Sequence, residues 1–287
     1  MLLGTVPAAA AGPTIPACTR DPARDRVLEP SQRREAVAIA QNDPLPGRIV
    51  AVDIGRGVAI IGMVIFHFVF DLEFLGILPR GTTLSGPWAI FARTVAGSFL
   101  FFAGVSLVLA HRSGIKWRSF LRRSAVIALA ALAVSVGTFA FAPNAFVYFG
   151  ILHAITVARF AGLAFLRLPS GITAAVAGLV FVLPHYVQSA AFDTRWLAWI
   201  GFSLNRPLAL DFEPVFPWLA PCLLGIAATR VALRKGVLHR LARRGRSAGP
   251  LARALGWAGR NSLVIYLLHQ LLMLPLLWGI VSLARAS

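Results

Sequence analysis

Long apolar runs separated by short polar ones dominate the chain. The runs fall at about 49–70, 88–110, 124–142, 145–165, 171–188, 215–233 and 257–282. Most reach the ~18–20 residues needed to cross about 30 Å of hydrocarbon. The pattern predicts an all-α polytopic membrane bundle of seven transmembrane helices. A candidate eighth element, less hydrophobic, lies in TRWLAWIGFSL (194–204), where Trp196 and Trp199 suit the headgroup level of an interfacial helix. Residues 1–46 lack the basic start of a signal peptide, and Pro7, Pro13 and Pro16 break their apolar run. They read as a disordered cytoplasmic tail ahead of a transmembrane domain at 47–287.

Composition agrees with this reading. Of 287 residues, 57% are hydrophobic and 14% charged, against about 25% charged in an ordinary soluble domain. The formal net charge of +17 is concentrated in two places. Residues 111–123 carry five Arg/Lys and no acid, and residues 230–253 carry eight and no acid. Short basic loops between apolar spans mark the cytoplasmic face, so no nucleic-acid partner is expected. Alternating the seven spans from loop 111–123 places loop 230–253 on the same side. The N-terminus then lies inside and the C-terminus outside. The two cysteines, Cys18 and Cys222, form neither a disulfide framework nor a metal motif.

What this picture leaves unexplained is polarity inside the spans. Span 1 holds Asp53, Arg56, His67 and Asp71, although a charge at a helix centre costs roughly 2.5–3.5 kcal/mol on insertion scales. At about 100° per residue, Arg56, His67 and Asp71 lie near −60°, −40° and 0° from Asp53. One narrow stripe holds all four, so it must face a bundle interior or a wet cavity. Asp53 and Arg56 are spaced to form a structural pair. His67 and Asp71 are spaced so that the carboxylate can orient the imidazole and raise its basicity, which makes both catalytic candidates. Span 2 adds Arg93, span 4 adds His153 and Arg159, and span 7 adds Arg260, Asn261, Tyr266 and His269. The three intramembrane histidines, His67, His153 and His269, have no Cys or Glu at metal-ligand spacing, so no metal is expected. Gly97, Ser98 and Gly104 read as helix-packing residues, and Pro217 as a helix start.

An ordered set of short motifs carries a resemblance. Asp53-x-x-Arg56-Gly57 is followed by His67, then FFAGVSLVLA (101–110), YFGILHAI (148–155), FPWLAPCLLGI (216–226) and GRNSLVIYLLHQ (259–270). Over about residues 48 to 280 the chain resembles the heparan-alpha-glucosaminide N-acetyltransferase catalytic-domain-like membrane proteins of bacteria, relatives of the acyltransferase-3 family. The resemblance implies a bacterial inner-membrane enzyme with no tightly bound cofactor. It would take acetyl-CoA or another acyl-CoA from the cytoplasm as co-substrate. It would deliver the acyl group to a hydroxyl or amine of a sugar or glycan outside. His67 matches the first-helix catalytic histidine of the acyltransferase-3 branch. In the heparan-acetylating branch the active histidine sits in the first outer loop, and this chain has no His between 68 and 110.

These residues suit that job chemically. Arg56, Arg260 and the loop arginines can hold the phosphates of CoA, with Asn261 beside them. His67 can take the acceptor's proton. Asn261 or His153 can donate to a tetrahedral oxyanion. His153, His269 and Arg93 are the expected substrate contacts, and lipid is the expected surroundings. The alternative reading is a proton-coupled small-solute transporter, because intramembrane titratable groups serve proton paths as well.

Overall fold

The computed structural model describes residues 49–244 and 249–286, all within one compact unit, 44–287. The expected tail at 1–46 lies outside the described residues. Among the described residues the regular structure is helical, and strand-like pairing is confined to an isolated bridge between Phe149 and Phe212. The helices are α1 (Val50–Phe74), α2 (Gly86–Ala110), α3 (Trp117–Phe141), α4 (Ile151–Phe165) and α5 (Ser170–Val182). They continue with α6 (Arg195–Ala198), α7 (Val215–Arg234), α8 (Val237–Arg244), α9 (Pro250–Arg260) and α10 (Ser262–Ala286).

Five of these, α1, α2, α3, α7 and α10, are long and apolar enough to cross a membrane. Two expected spans are shorter in the structure. Helix α4 has 15 residues, about 22 Å at 1.5 Å per residue, which is less than the hydrocarbon thickness. It starts at Ile151 rather than near 145 because the preceding backbone is engaged elsewhere: Leu210 donates its N–H to Ala145 O, and Glu213 donates to Phe149 O. Helix α5 runs into a 3₁₀ turn, Leu183–His185. The last expected span also differs, because the chain leaves helical geometry at Asn261 and divides into α9 and α10. At 194–204 there is no span, only the four-residue α6 and a turn in which Trp199 Nε1 donates to Trp196 O.

Local sequence explains the ends. Helix α1 stops at a glycine in the left-handed region, Gly76 (φ 75°), with Ile77 N–H on Leu72 O and Gly76 N–H on Glu73 O. This pair of bonds satisfies carbonyls that a helix end otherwise strands. The Arg285 guanidinium, from the far end of α10, takes Leu75 O. Glu73 gathers the N–H groups of Gly81 and Thr83 and the Thr83 hydroxyl, which folds the 75–85 turn back on α1.

Packing depends on small residues, as expected where lipid offers no hydrophobic drive for helix association. Gly104 of α2 lies against Cys222 O of α7, and Gly225 of α7 lies against Phe101 O of α2. The same exchange joins α1 to α9: Gly57 meets Leu255 O, and Gly259 meets the Asp53 carbonyl. Around these contacts Leu100, Leu107, Phe120, Ala158, Leu223 and Ile226 form the largest buried cluster. The outward faces of α3 and α10, with Leu129, Leu132, Leu272 and Leu276, stay exposed and apolar, as lipid contact requires.

Adding a methyl at Gly259 forces two backbones apart, so Gly259→Ala is expected to lower stability by about 1–3 kcal/mol. Gly137→Ala, with open space around it, is the control. Thermal midpoints of both variants in detergent test this, and equal midpoints would remove the close-approach argument.

Candidate functional site

Of the polar stripe of α1, Arg56 lines a cavity of about 1270 Å³, and Asp53, His67 and Asp71 do not. Among the described residues the cavity is lined by seven cationic ones, Arg56, Lys116, Arg118, Arg122, Arg123, Arg159 and Arg260, and by no acid. Part of its lining is apolar, with Phe99, Phe102, Val126, Ile151 and Leu152, and Tyr266 lines it too. The helix ends explain this distribution. The α1–α9 contact places Arg56 beside Gly57 and Arg260 beside Gly259, so that both reach one wall. The first turns of α3 bring the basic run of residues 116–123 to the opposite wall.

Arg159 is the unusual member of the set. It is only 8% exposed, its Nε donates to Ser124 Oγ at 3.2 Å, and its guanidinium lies 5.2 Å from the Phe120 ring centre. Neither contact neutralises its charge. Arg56 is different: its Nη2 pairs with the buried Asp53 carboxylate at 2.8 Å. Asn261 does not line the cavity, and its Nδ2 donates to Trp257 O within its own turn.

Past Tyr266 lies a second cluster. The His67 and His269 rings face each other across α1 and α10 at 4.9 Å between centroids. Tyr266 is 5.8 Å from His269 by the same measure. His269 Nδ1 sits 2.6 Å from Tyr266 O; a carbonyl only accepts, so Nδ1 carries the proton and Nε2 the lone pair. The expected His67–Asp71 hydrogen bond is not made. Asp71 Oδ1 instead accepts from Gln270 Nε2 at 2.6 Å, a bond from α10 that draws the carboxylate off its own helix. Among the described residues, His67 Nδ1, Asp71 Oδ2, His269 Nε2 and Gln270 Oε1 are buried without a hydrogen-bond partner.

His153 does not join this cluster. Gly150 donates its N–H to His153 Nδ1 at 3.3 Å, so the ring caps the start of α4. Its other nitrogen lies 3.4 Å from Ser135 Oγ, whose proton goes to Val147 O. Both ring nitrogens are thus engaged by the fold, which leaves no free donor for an oxyanion. Arg93 is exposed on α2 and acts electrostatically on Glu213, not on His67. Among the described residues no group of three His, Cys, Asp or Glu is placed to hold a metal ion.

Two acids, Asp211 and Glu213, carry structure that sequence reasoning missed. Asp211 Oδ2 accepts the first free N–H of α4, Ile151 N, at 2.9 Å. Burial pushes the Asp211 carboxyl up to about 6, with this hydrogen bond opposing. Burial, then the charge of Asp211, pushes Glu213 well up, while Arg206 and Arg93 oppose. Tyr266 lies within electrostatic range of both carboxylates. The available signal was two acids in LDFEP, in a chain where acids are scarce. Gln270 was legible only as a polar residue inside YLLHQ.

A family model described as "Heparan-alpha-glucosaminide N-acetyltransferase, catalytic" matches residues 48–271. No curated protein and no solved structure matches the chain.

Because burial raises the folded-state value of Asp211 above the ordinary ~3.9, ionisation weakens the fold. The penalty is absent below the unfolded value and complete above about 6. Asp211→Asn keeps an oxygen for Ile151 N–H and removes the charge. Its thermal midpoint is expected to match wild type near pH 3.5, exceed it increasingly through pH 5, and level off above pH 6. A pH-independent difference would contradict this.

Proposed function

The chain belongs to the heparan-alpha-glucosaminide N-acetyltransferase catalytic family, and from that premise we propose that it moves an acetyl group from acetyl-CoA to an amine or hydroxyl of a sugar across a membrane. The observation that carries the donor half is the basic cavity. CoA presents ionised phosphates at one end and an acylated thiol at the other. A pocket with seven cations, no acid and an apolar part to its lining complements that polarity. Its volume exceeds the roughly 300–1,000 Å³ of ordinary ligand pockets, as a long nucleotide-bearing donor needs. Arg56 and Arg260 would hold phosphate oxygens near the opening. Arg159 would meet an anion where little water competes. The pantetheine arm would run toward Tyr266.

The transfer itself is proton handling around a thioester. The acceptor N–H or O–H gives its proton to the His67–His269 pair as the nucleophile bonds to the carbonyl carbon. The carbon–sulfur bond then breaks, and the sulfur leaves with its electron pair and takes the proton back from the imidazolium. A water-poor setting limits hydrolysis of the thioester. The basic end of the bundle would face the cytoplasm, with the N-terminus inside and the C-terminus outside, in a bacterial inner membrane. The transporter reading is set aside, because the family is one of acetyltransferases.

Hydrogen bonds to charged groups contribute about 1.5–3 kcal/mol. Arg159→Gln and Arg260→Gln are therefore expected to weaken acetyl-CoA binding roughly tenfold to a hundredfold each. Calorimetry on the nanodisc-embedded protein checks this. His67→Ala is expected to abolish transfer while acetyl-CoA still binds. Full transfer by a folded His67→Ala protein would remove His67 from the reaction.

A further inference from the structure

The basic cavity has an edge that faces lipid. Its boundary is open over part of its extent. On α3, Arg118, Arg122 and Val126 line it and are exposed at the same time. Val126 lies four residues after Arg122, and Leu129 three after Val126, so the three follow one side of the helix. Leu129 does not line the cavity; it belongs to the exposed apolar face that meets lipid. The strip therefore runs from charge in the cavity to an apolar surface outside it without a break. Further along, the seam between α3 and α10 is closed: Ala130, Ala131 and Leu152 are buried together, and Leu263 and Leu267 pack on them. The opening is thus limited to the basic end of the bundle.

That end also has an unbalanced charge. Arg56 is paired with Asp53, but the described lining holds no acid for Arg118, Arg122, Arg123 or Arg159. Arg159 is buried, and its contacts are a hydroxyl and an aromatic ring. Buried charges are stable when they are paired. Between turnovers CoA is not there to supply the anion. An anionic lipid can reach this place from the side, with its phosphate at the arginines and its chains along Val126 and Leu129. Guanidinium groups hold phosphate oxygens in pairs, and basic pockets between membrane helices take anionic head groups on this principle. The apolar strip is the part of the surface that a free phosphate leaves unused and a lipid covers.

We propose that an anionic glycerophospholipid enters the cavity sideways past Arg122 and Val126, and that its phosphate sits among the cavity arginines while no acyl donor is bound. The lipid then competes with acetyl-CoA, so the anionic content of the membrane sets the apparent affinity for the donor. The competition rests on the acetyl-CoA reading of the cavity. The lipid site itself rests on the charge of the lining and on its continuity with the apolar face of α3.

The test uses the full chain in phosphatidylcholine nanodiscs that contain phosphatidylglycerol brominated near the head of its chains. Phosphatidylcholine brominated at the same positions is the comparison. Bromine quenches tryptophan emission on contact, and Trp117 both lines the cavity and is exposed. Phosphatidylglycerol is expected to quench more than phosphatidylcholine, and Trp117→Phe to remove most of the excess. Saturating acetyl-CoA is expected to remove it too, and Arg159→Gln to weaken the lipid's apparent affinity about tenfold. Arg122→Gln, at an exposed position, is expected to act in the same direction and serves where the buried substitution unfolds the protein. Equal quenching by the two lipids overturns the proposal. So does an excess that Trp117→Phe leaves intact, that persists with acetyl-CoA bound, or that neither arginine variant reduces. Glycerol phosphate, which has no chains, is expected to leave the excess in place; if it removes the excess, the place belongs to a soluble phosphate ester and the lipid is overturned. A protein that does not bind acetyl-CoA in pure phosphatidylcholine refutes the parent reading instead. The lipid preference is measured without acetyl-CoA, so the two failures are distinguishable.

Discussion

The wall of the basic cavity that holds Arg56 and Arg260 depends on two backbones touching. Gly57 and Gly259 let α1 and α9 approach until each glycine lies against a carbonyl of the other helix. Larger residues would separate the helices. The residues beside those glycines, Arg56 and Arg260, share a wall because of that approach. A guanidinium inside a membrane protein needs an anion or a wet space, since hydrocarbon provides neither. Arg56 has both, with Asp53 as its pair and the cavity beyond. Arg159 has the cavity, a hydroxyl and an aromatic face.

The same economy of polar groups gives the protein two environments, and Tyr266 borders both. On one side are cations without acids. On the other are open acceptors, Asp71 Oδ2, Gln270 Oε1 and His269 Nε2. Tyr266 and His269 sit about one turn apart on a single helix, α10, whose outward face is apolar and suited to lipid.

What the sequence made legible was local. Apolar periodicity marks the long helices, since a span is a property of consecutive residues. The Asp53–Arg56 pair is visible because three residues along a helix bring side chains together. His67 and Asp71 have the same kind of spacing, and there the local rule fails. A competitor 199 positions away, Gln270, takes the carboxylate. No spacing rule reaches that far. The late start of α4 has a similar origin: a carboxylate 60 positions downstream, Asp211, sets the first turn, and neighbouring backbone groups bond across the gap. His153 resembles a ligand because it is polar in an apolar run, yet its ring is used to finish a helix end. The basic run at 116–123 is a marker of sidedness in the sequence, and in the fold the same charges line the cavity wall.

The brevity of α4 and α5 has a consequence for the surrounding lipid. A bilayer that meets an apolar surface shorter than its own core thins there or deforms, at a cost of fractions of a kcal/mol per Å. Helix α5 turns Ile172, Leu179 and Phe181 outward, so lipid must meet this short face directly. A bilayer meeting this face would be thinner beside α5 than beside the long helices. Membrane thickness is thus a variable to which this edge of the protein would respond.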